Sequence, residues 1–179
     1  MTVTAEERQA FLEFDAKLGP EYRAELIAGR IIVNPPPVGN HEHAISRITE
    51  QLLRKSAIPF DFSANRGLST PFGNFIPDLA VVERGLFVDE PSWGTPAGWL
   101  LVLEVTSSAP IDDREAKRKA YAAAGIPLYL LVDRGRRESV LFSRPDVEAW
   151  DYGADVRVPF GEDLELPAPF SFTLTNFAR

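Results

Sequence analysis

The chain has 179 residues, enough for one domain with a single core and too few for two large ones. At 45% hydrophobic and 25% charged its composition is globular, which excludes a disordered chain or a fibre. With no cysteine and two histidines it cannot build disulfides, zinc knuckles, iron–sulfur clusters, a thiol nucleophile or a three-histidine metal centre. Nineteen basic against 26 acidic residues give a net charge of −7, which opposes non-specific adhesion to nucleic acid while leaving room for a local basic patch. No apolar run approaches the roughly 18 residues of a membrane span, and Thr4–Leu18 mixes acids with apolar residues. A soluble, cytoplasmic protein is expected.

Thr4-x-x-Glu7 has the spacing of a capping box, and Phe11, Phe14 and Leu18 recur at helical intervals, so a helix is predicted up to Gly19-Pro20. Glu25–Ile27 and Arg30–Val33 flank a turn at Ala28-Gly29 and read as a hairpin, ended by Pro35-Pro36-Pro37. Ile45, Ile48, Leu52 and Leu53 mark an amphipathic helix from about His43 to Lys55. Between Phe60 and Pro77 the pattern suggests one or two irregular strands. Leu79–Val82 and Trp99–Leu103 lack polar alternation and suit strands covered on both faces. Asp112 or Asp113 can cap a helix through the alanines at 120 and 122–124, closed by Gly125, after which Leu128–Val132 is another buried strand. A strand, helix and strand of this length predict a right-handed crossover between parallel strands. Ser139–Phe142 is predicted to pair back on the last of these through a turn at Arg134–Arg137, making the sheet mixed. The tail is a proline-rich series of short strand-like pieces.

Two acids abut strongly apolar strands: Asp78 immediately before Leu79–Val82, and Glu104 at the end of Trp99–Leu103. Ionised carboxylates beside a core demand a partner. A divalent metal would satisfy both, since magnesium takes hard oxygen ligands and is commonly held by one or two carboxylates plus substrate phosphate. The other reading is structural: Asp78 caps a turn and Glu104 pairs with an arginine. Asp113, Lys117 and Tyr121 are spaced by four and share a helix face, from which Lys117 can reach the strand end carrying Glu104. Alone, Lys117 reads equally as a solvent lysine paired with Asp113, and Lys119 is the alternative ammonium. Arg114, Lys117, Arg118 and Lys119 form a candidate basic patch. Arg134, Arg136 and Arg137 form another, read as a solvated turn.

In order along the chain, Glu25-Leu-Ile-x-Gly29, Pro35-Pro36-Pro37 with His41, Pro77-Asp78-Leu-x-Val-Val, Leu103-Glu104-Val-x-Ser107, Asp113-x-x-x-Lys117-x-x-x-Tyr121-Ala-x-x-Gly125-Ile-Pro and a Leu-Val-Asp133 strand resemble the Uma-two-type restriction endonuclease family. That family is grouped in the PD-(D/E)XK nuclease superfamily, and the resemblance runs from about Tyr22 to Arg144. It implies an α/β (α+β) restriction-endonuclease-like fold: one domain over 1–179, with a mixed central sheet flanked by helices and metal-binding acids gathered at one edge. On this chain it implies Asp78 and Glu104 as metal ligands, the backbone carbonyl of Val105 as a third contact, Lys117 as the helix lysine and Glu25 as a supporting acid. His41 matches a recurrent histidine without an assigned role, and from the residues alone it reads as a helix-start or surface histidine, with His43 having less in its favour. The superfamily signature has lysine two residues after the second acid, where this chain has Thr106. Ala28 and Arg30 stand where relatives carry acids.

The expectation is a magnesium-dependent endonuclease hydrolysing DNA phosphodiesters, with manganese as an alternative metal and weak DNA binding through a local basic patch. The rival is a nuclease fold without catalysis, serving as a DNA-binding or protein-interaction module. A third reading is a homodimer, for which Trp93, Trp99 and Trp150 are interface anchors if they are not core.

Overall fold

The structure is a computed structural model that describes residues 2–19, 22–34, 39–64, 66–106 and 112–178, the side chains of Asn34, Asn40 and Asp113 aside. Pro35-Pro36-Pro37 and Ser107 lie outside the described residues, as does the side chain of Asp113. In chain order the elements are α1 (Ala5–Asp15), β1 (Arg23–Ile27), β2 (Arg30–Asn34), α2 (Gly39–Lys55), β3 (Phe60–Ser63), β4 (Gly67–Thr70), β5 (Gly73–Phe75), β6 (Leu79–Glu83), β7 (Trp93–Gly94) and β8 (Trp99–Val105). A π-helical turn (Asp112–Lys117) then runs directly into α3 (Arg118–Ala123), followed by β9 (Leu128–Asp133), β10 (Glu138–Asp146), β11 (Asp151–Pro159), β12 (Leu164–Leu166) and β13 (Phe172–Leu174).

The larger sheet has the order β11-β10-β9-β8-β6-β3, in which β8 and β9 are parallel and the remaining pairs antiparallel. The crossover read from the sequence therefore forms, and the α+β, mixed-sheet class holds. Its central strands are apolar throughout because both faces are covered. Leu79, Val81, Leu101, Leu103, Leu128 and Leu130 face Ile45, Ile48 and Leu52 of α2, with Leu164 and Leu174 of the tail closing that core. The alternate residues Ala80, Val82, Val102, Tyr129 and Leu131 face Ala120 and Tyr121 of α3, and Leu68 and Phe75 of the second sheet. That second sheet, order β2-β1-β5-β4-β7, lays β1 beside the turn that enters α3.

The capping box of α1 is present, with Thr4 and Glu7 bonded reciprocally. Phe11 is buried, whereas Phe14 is 40% exposed, because α1 lies on the smaller sheet along one narrow stripe. Leu53 is likewise 59% exposed: Leu52 takes the core position and the next residue is carried about 100° round the helix axis. The stretch from 60 to 75 contains three short strands where one or two were expected. Gly125 terminates α3 at φ +72, with Ile126 N–H donating to the Tyr121 carbonyl at 3.0 Å and Gly125 N–H to that of Ala122 at 2.9 Å. This is a Schellman stop, which sends the chain straight into β9. Trp99 is core, while Trp150 is 46% exposed with its ring edge-on to Phe72.

Candidate active site

Glu104 shares strand parity with Val102, so β8 turns it toward the face on which α3 packs. Its side chain is 2% exposed, and Lys117 Nζ lies 2.9 Å from Oε2. The Tyr121 hydroxyl, one helical turn beyond Lys117, donates to Oε1 at 2.5 Å. From the second sheet, Glu25 of β1 brings Oε1 to 3.4 Å from the same ammonium and accepts the Ile76 N–H at 2.9 Å. Lys117 is thus no solvent lysine: its side chain is 7% exposed and stands between two buried carboxylates. Burial, reinforced by the charges of Glu104 and Glu25 and by the Glu104 hydrogen bond, pushes the Tyr121 phenol well above its ordinary value, so it stays a donor.

Asp78 directly precedes β6. Leu79 pairs with Leu103, so carrying the antiparallel register back one residue sets Asp78 opposite Glu104. Asp78 Oδ2 accepts the Val105 N–H at 2.8 Å and lies 3.0 Å from His41 Nε2. His41 sits in the first turn of α2 with a 7% exposed side chain, not on the surface. Burial alone would lower the imidazole's pKa. The hydrogen bond to Asp78 and the charges of Asp78 and Glu42 outweigh that, against a smaller opposing effect of Arg134, and the net shift is upward. The site therefore consists of a Glu25–Lys117–Glu104–Tyr121 group and an Asp78–His41 group, joined through the adjacent residues Glu104 and Val105.

Thr106 occupies the position where the superfamily signature has lysine. It is 3% exposed, and its hydroxyl accepts the Arg134 N–H at 2.9 Å, which ties the end of β8 to the turn after β9. Of the basic candidates, Arg114 forms a two-pronged pair with Asp133 at 2.5 and 2.7 Å, and Arg118 pairs with Asp151 at 3.2 Å and lies over the Phe142 ring. Lys119 is exposed. Asp112, one of the expected caps, pairs with Arg30 at 2.8 Å. Arg134–Arg137, read from the sequence as a solvated turn, is an exposed turn, and Arg134 and Arg137 line a cleft there with His43.

Sequence reasoning gave Tyr121 no role and left that of His41 unassigned. Tyr121 stood on the same helix face as Lys117, but no role could be given to it without seeing Glu104 opposite. His41 depends on a contact distant in sequence.

The donor set suits magnesium more than a metal wanting a full protein cage. No group of three or more acidic or histidine side chains that could hold a metal gathers among the described residues. Asp78 Oδ1 takes no hydrogen bond among the described residues, and the side chain is 21% exposed. The two Glu104 oxygens are met by Lys117 and Tyr121, and a carboxylate oxygen can accept more than one bond. Two hard carboxylates, with water and phosphate oxygens filling the other positions, is an arrangement that magnesium accepts.

The fold resembles the crystal structure of a putative nuclease belonging to DUF820 from Anabaena variabilis ATCC 29413, with a TM-score of 0.67 and 14% identity over 93% of this chain and 96% of that one. The chain belongs to the Uma2 family, described as "Putative restriction endonuclease", whose model matches residues 8–176 and so extends the resemblance beyond 22–144 at both ends. No curated protein matches the chain.

Proposed function

We propose that the chain is a metal-dependent endonuclease that hydrolyses DNA phosphodiester bonds. The observation that carries this reading is Lys117 Nζ, 2.9 Å from Glu104 on a buried strand end whose register sets it opposite Asp78. Membership of the family described as "Putative restriction endonuclease" supports it further.

Asp78 Oδ1, Glu104 and the Val105 carbonyl would hold magnesium or manganese. When bound, the ion supplies Lewis-acid polarisation of the phosphate and a lowered pKa for a coordinated water. Lys117, held between Glu104 and Glu25, directs its ammonium to where negative charge accumulates on the phosphate, and orients the attacking water. Tyr121 fixes one Glu104 oxygen, leaving the other to share between lysine and substrate side. His41 holds Asp78 through Oδ2, which aims Oδ1 outward. Thr106 does not replace the missing signature lysine, since its hydroxyl is spent on the Arg134 N–H.

The test incubates the purified protein with plasmid and with single-stranded DNA in magnesium or manganese, beside Asp78→Ala, Glu104→Ala and Lys117→Ala. Wild type should cleave, and each variant should lose at least about 100-fold, the scale of removing one electrostatic stabiliser. Cleavage that survives in Asp78→Ala and Glu104→Ala refutes the assigned site. Absence of both cleavage and manganese binding in wild type favours the non-catalytic module instead.

A further inference from the structure

A cleft of about 600 Å³ lies between the start of α2 and the turn after β9, and His43, Arg134, Arg137, Phe160 and Phe177 line it. It adjoins the site, because His43 follows His41 by two residues in α2 and the Arg134 N–H is bonded to Thr106, two residues beyond Glu104. In a chain of net charge −7, two arginines converge here with no carboxylate paired to either among the described residues. The Arg134 backbone is tied to Thr106, and the Arg137 guanidinium lies over the Phe160 ring at 5.7 Å, where its planar face can stack on a base.

A duplex is far too broad for such a cleft, whereas the volume falls in the range of small-ligand pockets. We propose that the cleft binds one unpaired nucleotide of the substrate strand beside the reacting phosphodiester. Arg134 and His43 take the phosphate, and the base stacks on the Arg137 guanidinium above Phe160. The inference deepens the nuclease reading and rests on it for the identity of the strand, but its test is binding and not cleavage.

Fluorescence anisotropy of a labelled single-stranded dodecamer in EDTA provides that test. Arg134→Ala removes the charge while keeping the backbone bond to Thr106. Arg137→Asn suits the positive φ of 54 at that position. Each should weaken binding by roughly tenfold, and Arg134→Ala, which removes a phosphate contact, should also reduce the salt slope by about one counterion. Lys17→Ala, an exposed charge-matched control, should bind as wild type, and thermal melts establish that each variant is folded. Wild type that does not bind the strand, arginine variants that bind as tightly as wild type, or a duplex dodecamer that competes equally well would each overturn the proposal. Arginine-dependent binding in a protein that cleaves nothing in magnesium or manganese would sustain the cleft and defeat the nuclease reading. Asp78-dependent cleavage with unaltered binding in both arginine variants would do the reverse.

Discussion

Glu104 keeps its place in the interior through Lys117 and Tyr121, and Lys117 keeps its own through Glu104 and Glu25. Removing one member of a buried pair costs far more than the pair contributes as a whole, because a desolvated charge is left behind. Lys117→Met should therefore destabilise the metal-free protein by about 3–5 kcal/mol in urea denaturation. Part of the loss should return in saturating magnesium if a cation replaces the ammonium between the acids. An unchanged denaturation midpoint would show that the lysine is not coupled to those carboxylates. Tyr121→Phe deletes one buried hydrogen bond and leaves the ring packed against Phe75 and Tyr129, so its cost should be about 1–2 kcal/mol, with lower cleavage activity because Glu104 is less well fixed. These roles follow from atoms meeting across the fold. The sequence placed Lys117 and Tyr121 on one helix face but did not contain the meeting itself.

The elements that carry the site differ in how plainly their sequences announce them. β6, β8 and β9 are legible because burial on both faces leaves no room for polar residues, and unbroken apolar runs have few other uses. β4 and β5 are short and interrupted by glycine, so neither period nor length distinguishes them from loop. Gly73 shows why the interruption exists. Its φ is +146, and a Cβ there would lie 1.7 Å from the Leu26 carbonyl oxygen of the paired strand β1. Gly73→Ala should force β1 and β5 apart and destabilise the protein by about 3 kcal/mol, read as a lower melting temperature. A melting temperature within a degree of wild type would mean that this pairing gives way easily. The start of α3 was also misread. An Asp cap was expected, and a π-helical turn stands there instead, with Lys117 as its last residue.

Across the whole molecule, Asp133 links the site's second parallel strand to the turn that enters α3. Its burial would raise the carboxyl pKa. The Arg114 side chain, the Arg136 N–H and both positive charges more than offset this, holding it below the ordinary value. A carboxylate lowered on folding contributes stability that is fully present above its unfolded pKa of about 3.9 and is lost as pH falls through the folded value. Wild type should thus shed stability in acid below about pH 3.9. Asp133→Asn should be less stable at neutral pH, with a shallower acid limb, and melting curves from pH 3 to 7 test this. Parallel limbs for the two proteins would assign acid unfolding to other groups.

The pattern of apolar runs, the capping box and the order of Asp78, Glu104 and Lys117 already determined an α+β chain, its central strands and its family, because core burial and helix periodicity are local demands written into neighbouring residues. Only the tertiary structure decided that Lys117 is shared between Glu104 and Glu25, that His41 holds Asp78, that Arg114 and Arg118 are committed to acids, and that Arg134 and Arg137 face a cleft. Each of those facts is an encounter between distant segments, and the strength and partner of a charge depend on separation and burial, which exist only once the chain has folded.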